Sequence, residues 1–283
     1  MPSPRMKTFL PLVLCFLLSG CSSLFFYPAT GTLATPDRIG IDYESLGIKA
    51  QDGGTLHAWL MKAAKKKRGT VVFFHGNAEN ITSHSFGVAF LCARGFDVLS
   101  VDYRGYGESS GEPSFDNMAQ DIRTAIDYAL DHYEKPVFVL GQSLGASMTA
   151  IALADYPRQN ELAGVVFDSG FAKMRRIARE KVASVWFLYP LQYPLSWLVA
   201  ERSPIDAVQK ITVPKLFVAA QTDAVVNVQH SRDLYAAAKE PKSAVFTDHG
   251  AHIGALHTIE GRQALDAFLR ENEKRQTNQR LEK

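Results

Sequence analysis

Gly141-Gln142-Ser143-Leu144-Gly145 is the segment of this chain with the plainest chemical potential. Gly-x-Ser-x-Gly alone says little, because ordinary Gly and Ser frequencies supply it in about one chain in ten. Its neighbours give it meaning. An apolar run, Val137-Phe138-Val139-Leu140, leads straight into it, and the small residues Ala146, Ser147 and Ala150 follow in a helical pattern. A serine on a sharp strand-to-helix turn is held in a strained backbone conformation, its hydroxyl exposed over the positive end of the helix. Glycines two residues to either side let adjoining chain segments pass unobstructed. The chemistry to expect is nucleophilic attack by Ser143.

A serine hydroxyl is a poor nucleophile until a base takes its proton, and that base needs a carboxylate to hold its tautomer. With the nucleophile on such a turn, the acid and then the base come later in the chain. His230, His249, His252 and His257 follow Ser143. His249 and His252 lie in Asp248-His249-Gly250-Ala251-His252, directly after the last expected strand; His252 is the favoured base, with His249 and His257 as alternatives. Asp223 follows the run Leu216–Ala220 through Gln221-Thr222 and is the expected acid, while Asp168, after Val165-Val166-Phe167, is the fallback. An oxyanion would need two backbone donors: the N–H of Leu144, just past the nucleophile, and the N–H of Asn77, in the loop His75-Gly76-Asn77-Ala78-Glu79-Asn80 after the Val71–Phe74 run. His75 reads as structural.

These residues require a scaffold that brings distant loops together. Tyr43–Lys49 and Leu56–Lys62 flank the turn signal Asp52-Gly53-Gly54. Thr70–Phe74 is a continuous apolar run, as in a strand buried on both faces. Apolar residues at Met118, Ile122, Ala125, Ile126 and Ala129 mark one face of a helix over Phe115–Tyr133. Strands and helices then alternate: a helix over Ser83–Arg94, strands at Phe96–Val101, Pro136–Leu140, Ala163–Phe167, Val213–Ala219 and Ser243–Phe246, and helices at Leu144–Ala154, Ser231–Ala238 and Leu256–Arg270. Such alternation predicts an α/β domain over residues 41–271 with a mostly parallel sheet covered by helices on both faces. Residues 172–210 interrupt the pattern with Trp186, Phe187, Tyr189, Pro190, Tyr193, Pro194 and Trp197, and are expected to form a small helical lid over the site. Residues 272–283 read as a polar tail, the frayed end of the last helix.

The chain resembles the α/β-hydrolases, and most of all their Bem46-like, serine aminopeptidase S33-related branch. The resemblance spans roughly residues 25–270. It rests on His75–Asn80, on Asp102-Tyr103-Arg104-Gly105-Tyr106-Gly107-Glu108-Ser109-Ser110-Gly111, on Gly141–Gly145, on Asp223 and on Gly250-Ala251-His252, all in the family's order. It implies the α/β-hydrolase fold, with Asp102–Gly111 as a structural loop beside the site. Two positions depart from the branch: Glu79 stands where it usually has Gly, and Ile253-Gly254 where it commonly has Asn-Asp. The expected activity is hydrolysis of carboxylic esters or thioesters through an acyl-enzyme on Ser143. A serine peptidase with the same residues, and a non-catalytic envelope protein on the same scaffold, are the alternatives. No cofactor is called for, and the partner expected at the site is a small acyl ester.

The first residues carry a different message. Arg5 and Lys7 precede an apolar stretch, Phe9–Leu18, too short to span a bilayer as a helix, and Leu18-Ser19-Gly20-Cys21 follows. This resembles a bacterial lipoprotein signal, which implies that residues 1–20 are removed and Cys21 is lipidated. Ser22 in place of an Asp implies the outer membrane, with the domain facing the periplasm. Several acyl chains on one residue anchor a protein stably. Residues 21–40, with Pro28, Gly31 and Pro36 as breakers, read as a linker. Of the 31 basic residues only Arg5 and Lys7 lie in the signal, which holds no Asp or Glu; the remaining 29 balance the 29 acidic ones. That neutrality argues against a nucleic-acid partner, and Lys65-Lys66-Lys67-Arg68 reads as a solvated loop. Of Cys15, Cys21 and Cys92, only Cys92 remains for the core, so neither an internal disulfide nor a cysteine-based metal site is expected.

Overall fold

A computed structural model describes residues 26–134, 136–199 and 201–281, with side chains to residue 275. The signal segment and Cys21 lie outside the described residues. In chain order the elements are β1 (Tyr27–Pro28), β2 (Tyr43–Lys49), β3 (Thr55–Met61), β4 (Gly69–Phe74), β5 (Ala78–Glu79), α1 (Ile81–Val88), α2 (Phe90–Ala93), β6 (Phe96–Val101), α3 (Phe115–His132), β7 (Val137–Gln142), α4 (Leu144–Leu153), β8 (Gly164–Asp168), α5 (Met174–Ala183), α6 (Gln192–Trp197), α7 (Pro204–Ala207), β9 (Lys215–Ala220), α8 (Val228–Ala237), β10 (Lys242–Thr247) and α9 (Ile259–Leu281).

Eight strands form one sheet in the order β10-β9-β8-β7-β4-β6-β3-β2. The pairs β2·β3 and β3·β6 are antiparallel and the rest are parallel. The central strands β4, β6, β7 and β9 are buried throughout, which is why their sequences are apolar runs rather than alternations. One core lies under α3 and α4, with Met118, Ile122, Ile126 and Met148 against the sheet. The other lies under α1, α2 and α9, with Val88, Leu91, Leu265 and Phe268. Cys92 belongs to this second core, and burial pushes its thiol up to about 12.

After β4 the chain first builds β6 on one side, then crosses to build β7 on the other. The loops after β4 and β7 therefore diverge from a common point at the carboxyl ends of neighbouring strands. In open parallel sheets this is where a crevice forms.

Three boundaries differ from expectation. The first helix begins at Ile81, because the Asn80 side chain caps it by accepting the Thr82 N–H at 2.9 Å. The last helix begins at Ile259, where Thr258 Oγ1 accepts the Gly261 N–H, and it does not stop near residue 271. Asn272 is buried and donates to the Phe268 carbonyl, and Glu273 pairs with Arg68, so the polar tail continues the helix to Leu281. The expected linker is also partly structure. Phe26 is buried against Phe115, β1 pairs with β5, and Asn80 Nδ2 donates to the carbonyls of Ala29 and Gly31. The basic loop is partly engaged as well: Lys67 pairs with Asp97, and the Arg68 guanidinium lies over the Phe96 ring.

Candidate active site

The turn between β7 and α4 is shaped by what its glycines exclude. A Cβ on Gly141 would stand 2.7 Å from the Ala146 Cα, and one on Gly145 would stand 2.4 Å from the Phe74 carbonyl oxygen and 2.5 Å from that of His75. Neither contact is tolerable, so α4 packs against β4 and β7 only with glycine at both positions. Ser143 sits between them at φ 54°, ψ −115°, a region that L-residues rarely occupy. Its N–H donates to the Asp168 carbonyl at 2.8 Å, which ties the turn to the neighbouring strand.

Asp223 and His252 arrive from the loops after β9 and β10. His252 Nε2 is 2.8 Å from Ser143 Oγ, and His252 Nδ1 is 2.8 Å from Asp223 Oδ2. A carboxylate at Nδ1 places the ring proton there, which leaves Nε2 to accept from the serine hydroxyl. Asp223 Oδ1 accepts the N–H groups of Val225 and Val226 at 2.8 and 2.9 Å. Burial alone would raise the Asp223 pKa. The hydrogen bonds from His252 and from these backbone donors outweigh it and hold the carboxyl below its ordinary value. The arrangement can pass a proton from Ser143 to His252 and stabilise the resulting imidazolium.

The other candidates are placed elsewhere. Asp168 is fully buried, with its oxygens accepting from Gln142 Nε2 and Ser169 Oγ; burial dominates and lifts its pKa to about 6, although both donors oppose the shift. The His249 and His257 side chains are exposed. His230 is buried beneath the lid, where its Nδ1 accepts from the Ala172 N–H and its Nε2 donates to Glu180.

Asn77 and Leu144 both line the space beside Ser143. Gly76 lies close behind, since a Cβ there would be 3.6 Å from that of Ser143. The surrounding side chains set the course of this loop. His75 Nδ1 donates to the Gly76 carbonyl at 2.8 Å. A trans peptide directs its N–H opposite its C=O, so this bond turns the Asn77 N–H away from the imidazole. Tyr103 Oη donates to the His75 carbonyl at 2.8 Å, and Tyr106 Oη donates to that of Asn77 at 2.7 Å. Behind them, the buried Asp102 accepts the Ile81 N–H and faces His57 at 3.4 Å and His75 at 3.3 Å. Burial raises the Asp102 pKa, but the two histidines and the backbone donor bring it below the ordinary value. The loop Asp102–Gly111 thus fixes the His75–Asn77 loop through two tyrosine hydroxyls. Nothing in the local pattern marked those hydroxyls, because their acceptors lie almost thirty residues away.

Ser143 opens into a cavity of about 660 Å³ between the sheet edge and the lid. Its walls include Phe171, Met174, Ile177 and Val182, and among the described residues the one charged side chain lining it is Lys181, which donates to the Val225 carbonyl. Tyr27, from the N-terminal segment, completes the rim. Among the described residues, no group of three or more His, Cys, Asp or Glu is placed to hold a metal ion.

Comparison with known proteins agrees with this geometry. Residues 65–203 match the family model described as serine aminopeptidase, S33. The uncharacterized protein YfhR of Salmonella typhi is 32% identical over 248 residues, which cover 82% of this chain and 81% of that protein. The α/β-hydrolase domain-containing protein WAV2 of Arabidopsis thaliana is 29% identical over 266 residues, covering 86% and 85%. The chain belongs to the α/β-hydrolase family. Protein bem46 of Schizosaccharomyces pombe is 28% identical over 206 residues, covering 68% and 64%, in keeping with the resemblance to the Bem46-like branch. Among solved structures, an esterase of Pyrococcus furiosus superposes with a TM-score of 0.70 at 22% identity, covering 87% of this chain and 97% of that one.

The two departures from the α/β-hydrolase branch fall at special backbone positions. Glu79 has φ 65° and Ile253 has φ 55°. Glycine adopts this left-handed region at no cost and asparagine at little, whereas a β-branched residue is strained there. The residues usual in the branch are those the backbone favours; this chain holds the same geometry with less suitable side chains.

Proposed function

We propose that the protein is a serine hydrolase of carboxylic esters or thioesters whose acyl group occupies the lid-covered cavity. The observation that carries this reading is that the serine facing His252 opens into an apolar cavity. In the proposed reaction Ser143 Oγ attacks the carbonyl carbon while His252 Nε2 takes its proton. The N–H groups of Asn77 and Leu144 receive the oxyanion. The ester C–O bond or thioester C–S bond breaks, and the leaving alcohol or thiol takes the proton from His252. Water, deprotonated by the same imidazole, then attacks the acyl carbon; the bond from that carbon to Ser143 Oγ breaks, Oγ takes the proton from His252, and the carboxylic acid leaves. Asp223 orients the ring and balances its charge. An aminopeptidase would need an anionic group for the substrate's ammonium; among the described residues the cavity lining carries no carboxylate and one lysine, which favours an acyl chain over a peptide terminus. Structural relatives described as esterases support the same class, among them Est1E of Butyrivibrio proteoclasticus, at TM-score 0.61 and 17% identity. The protein is further proposed to act in the cell envelope, anchored through lipid on Cys21 and facing the periplasm from the outer membrane.

The test is turnover of p-nitrophenyl esters of increasing chain length. Ser143→Ala is expected to lower kcat by at least about a thousandfold without lowering Tm, since triad nucleophiles commonly contribute more than that. Loss of less than about tenfold, or failure of a fluorophosphonate to label the wild-type protein, removes the nucleophile from the mechanism.

A further inference from the structure

Residues 182–200 contain no charged side chain. In the structure this run is divided by role. Val182, Val185, Leu188, Leu195 and Leu198 line the cavity. Trp186, Phe187, Tyr189, Tyr193 and Trp197 are exposed on the lid, Trp186 at 85% and Trp197 at 73% of their full surface. The run is helical but broken, with Pro190 inside a 3-10 turn and Pro194 in α6, and no described helix is long and apolar enough to cross a membrane. A cluster of large exposed aromatic rings on a folded domain marks a surface that has a partner.

We infer that this lid face docks on the bilayer to which the N-terminal segment leads, its aromatic rings seated at the level of the lipid headgroups. Three observations favour lipid over another occupant. The rings are Trp, Tyr and Phe, of which Trp and Tyr are the residues enriched where hydrocarbon meets water. The neighbouring helix α5 and its N-cap carry Lys173, Arg175, Arg176, Arg179 and Lys181; Arg176 is held by Glu180 and Asp233 and Arg175 faces Glu201 at 3.6 Å, and the exposed Lys173, Arg175 and Lys181 still leave a positive balance that suits anionic headgroups. The chain preceding Phe26 contains the apolar stretch Phe9–Leu18, and it enters the domain beside Tyr27, on the rim of the cavity that the lid covers. From residue 21 to Phe26 an extended chain reaches at most about 18 Å. A membrane attachment at or before Cys21 therefore holds the lid side nearest the bilayer. The docked lid gives an acyl chain a route from the bilayer into the cavity without crossing water.

The inference does not rest on the chemistry at Ser143, and its test reads no turnover. The full chain is reconstituted in vesicles of phosphatidylglycerol and phosphatidylcholine, with and without bromine at the headgroup end of the acyl chains, and tryptophan fluorescence is recorded. The chain has three tryptophans, and Trp59 is only 3% exposed in the core. Brominated lipid is expected to quench the wild-type signal about twofold, as insertion of Trp186 and Trp197 to the acyl boundary requires. W186F/W197F, checked for an unchanged Tm, is expected to show almost no quenching. Ser143→Ala should be quenched like the wild type. Equal quenching of wild type and W186F/W197F overturns the inference. So does an unquenched lid that cross-links to a second copy of the chain, which would assign the aromatic face to self-association.

Discussion

The nucleophile turn and the lid are both rich in small or apolar residues, yet they stand in opposite physical conditions. At the turn, backbone groups and side chains of Ser143, Asp223 and His252 have their partners within the chain, and glycines at 141 and 145 admit no alternative packing. In the lid, one face lines a cavity and the other presents aromatic rings outward with no core to receive them. The first region is complete in itself. The second is completed by what it meets: an acyl chain inside, as proposed, and lipid outside, as inferred. Precision is thereby confined to the reacting atoms, and adaptability to the surface that selects the substrate.

The contrast breaks most sharply at Asp223. Asp223→Asn keeps the shape but leaves the wrong tautomer on His252, and a fall in kcat of about ten-thousandfold with little change in KM is expected from ester assays. If the turn is as self-contained as its contacts indicate, no lid substitution should approach that loss. Ile177→Trp, which fills the cavity wall, is expected to lower kcat/KM for long acyl esters about 10- to 100-fold while leaving acetate esters within about twofold. A uniform loss across chain lengths would mean that the lid positions the reacting atoms as well.

How legible these regions were follows from the same contrast. The turn could be read because its restrictions are local: two glycines, an apolar strand before and small residues after. Asp223 and His252 could be read because the sheet puts both loops at one edge, so chain order and strand ends suffice. The lid's existence was visible as an interruption, but its path was not, since prolines at 190 and 194 break any period along it. Residues 26–33 read as a linker because they lack periodicity, and their docking depends on Asn80 and Phe115, far away in the chain. The hydroxyls of Tyr103 and Tyr106 were hidden for the same reason.

A smaller effect sharpens the energetic side. Buried Asp168, lifted to about 6, holds its proton more tightly folded than unfolded, so stability should fall as pH rises from about 4 to about 6. Asp168→Asn removes this slope and is expected to gain about 1–3 kcal/mol above pH 6, measured by urea unfolding across that range. The smallest effect is at the strained positions. Glu79→Gly and Ile253→Asn are each expected to add about 1 kcal/mol, a rise in Tm of about 2–4 °C by calorimetry, because the backbone there already suits the incoming residue.

Beyond the anchoring proposed for it, the N-terminal segment is bonded to the site. Tyr27 N–H donates to the Asn77 carbonyl, the Ala29 N–H to that of Glu79, and the Gly107 N–H to that of Ala29. The leash is thus stitched into the very loop proposed to receive the oxyanion. Any displacement of residues 27–29 would be borne first by those hydrogen bonds and would reach the Asn77 backbone before any other part of the site.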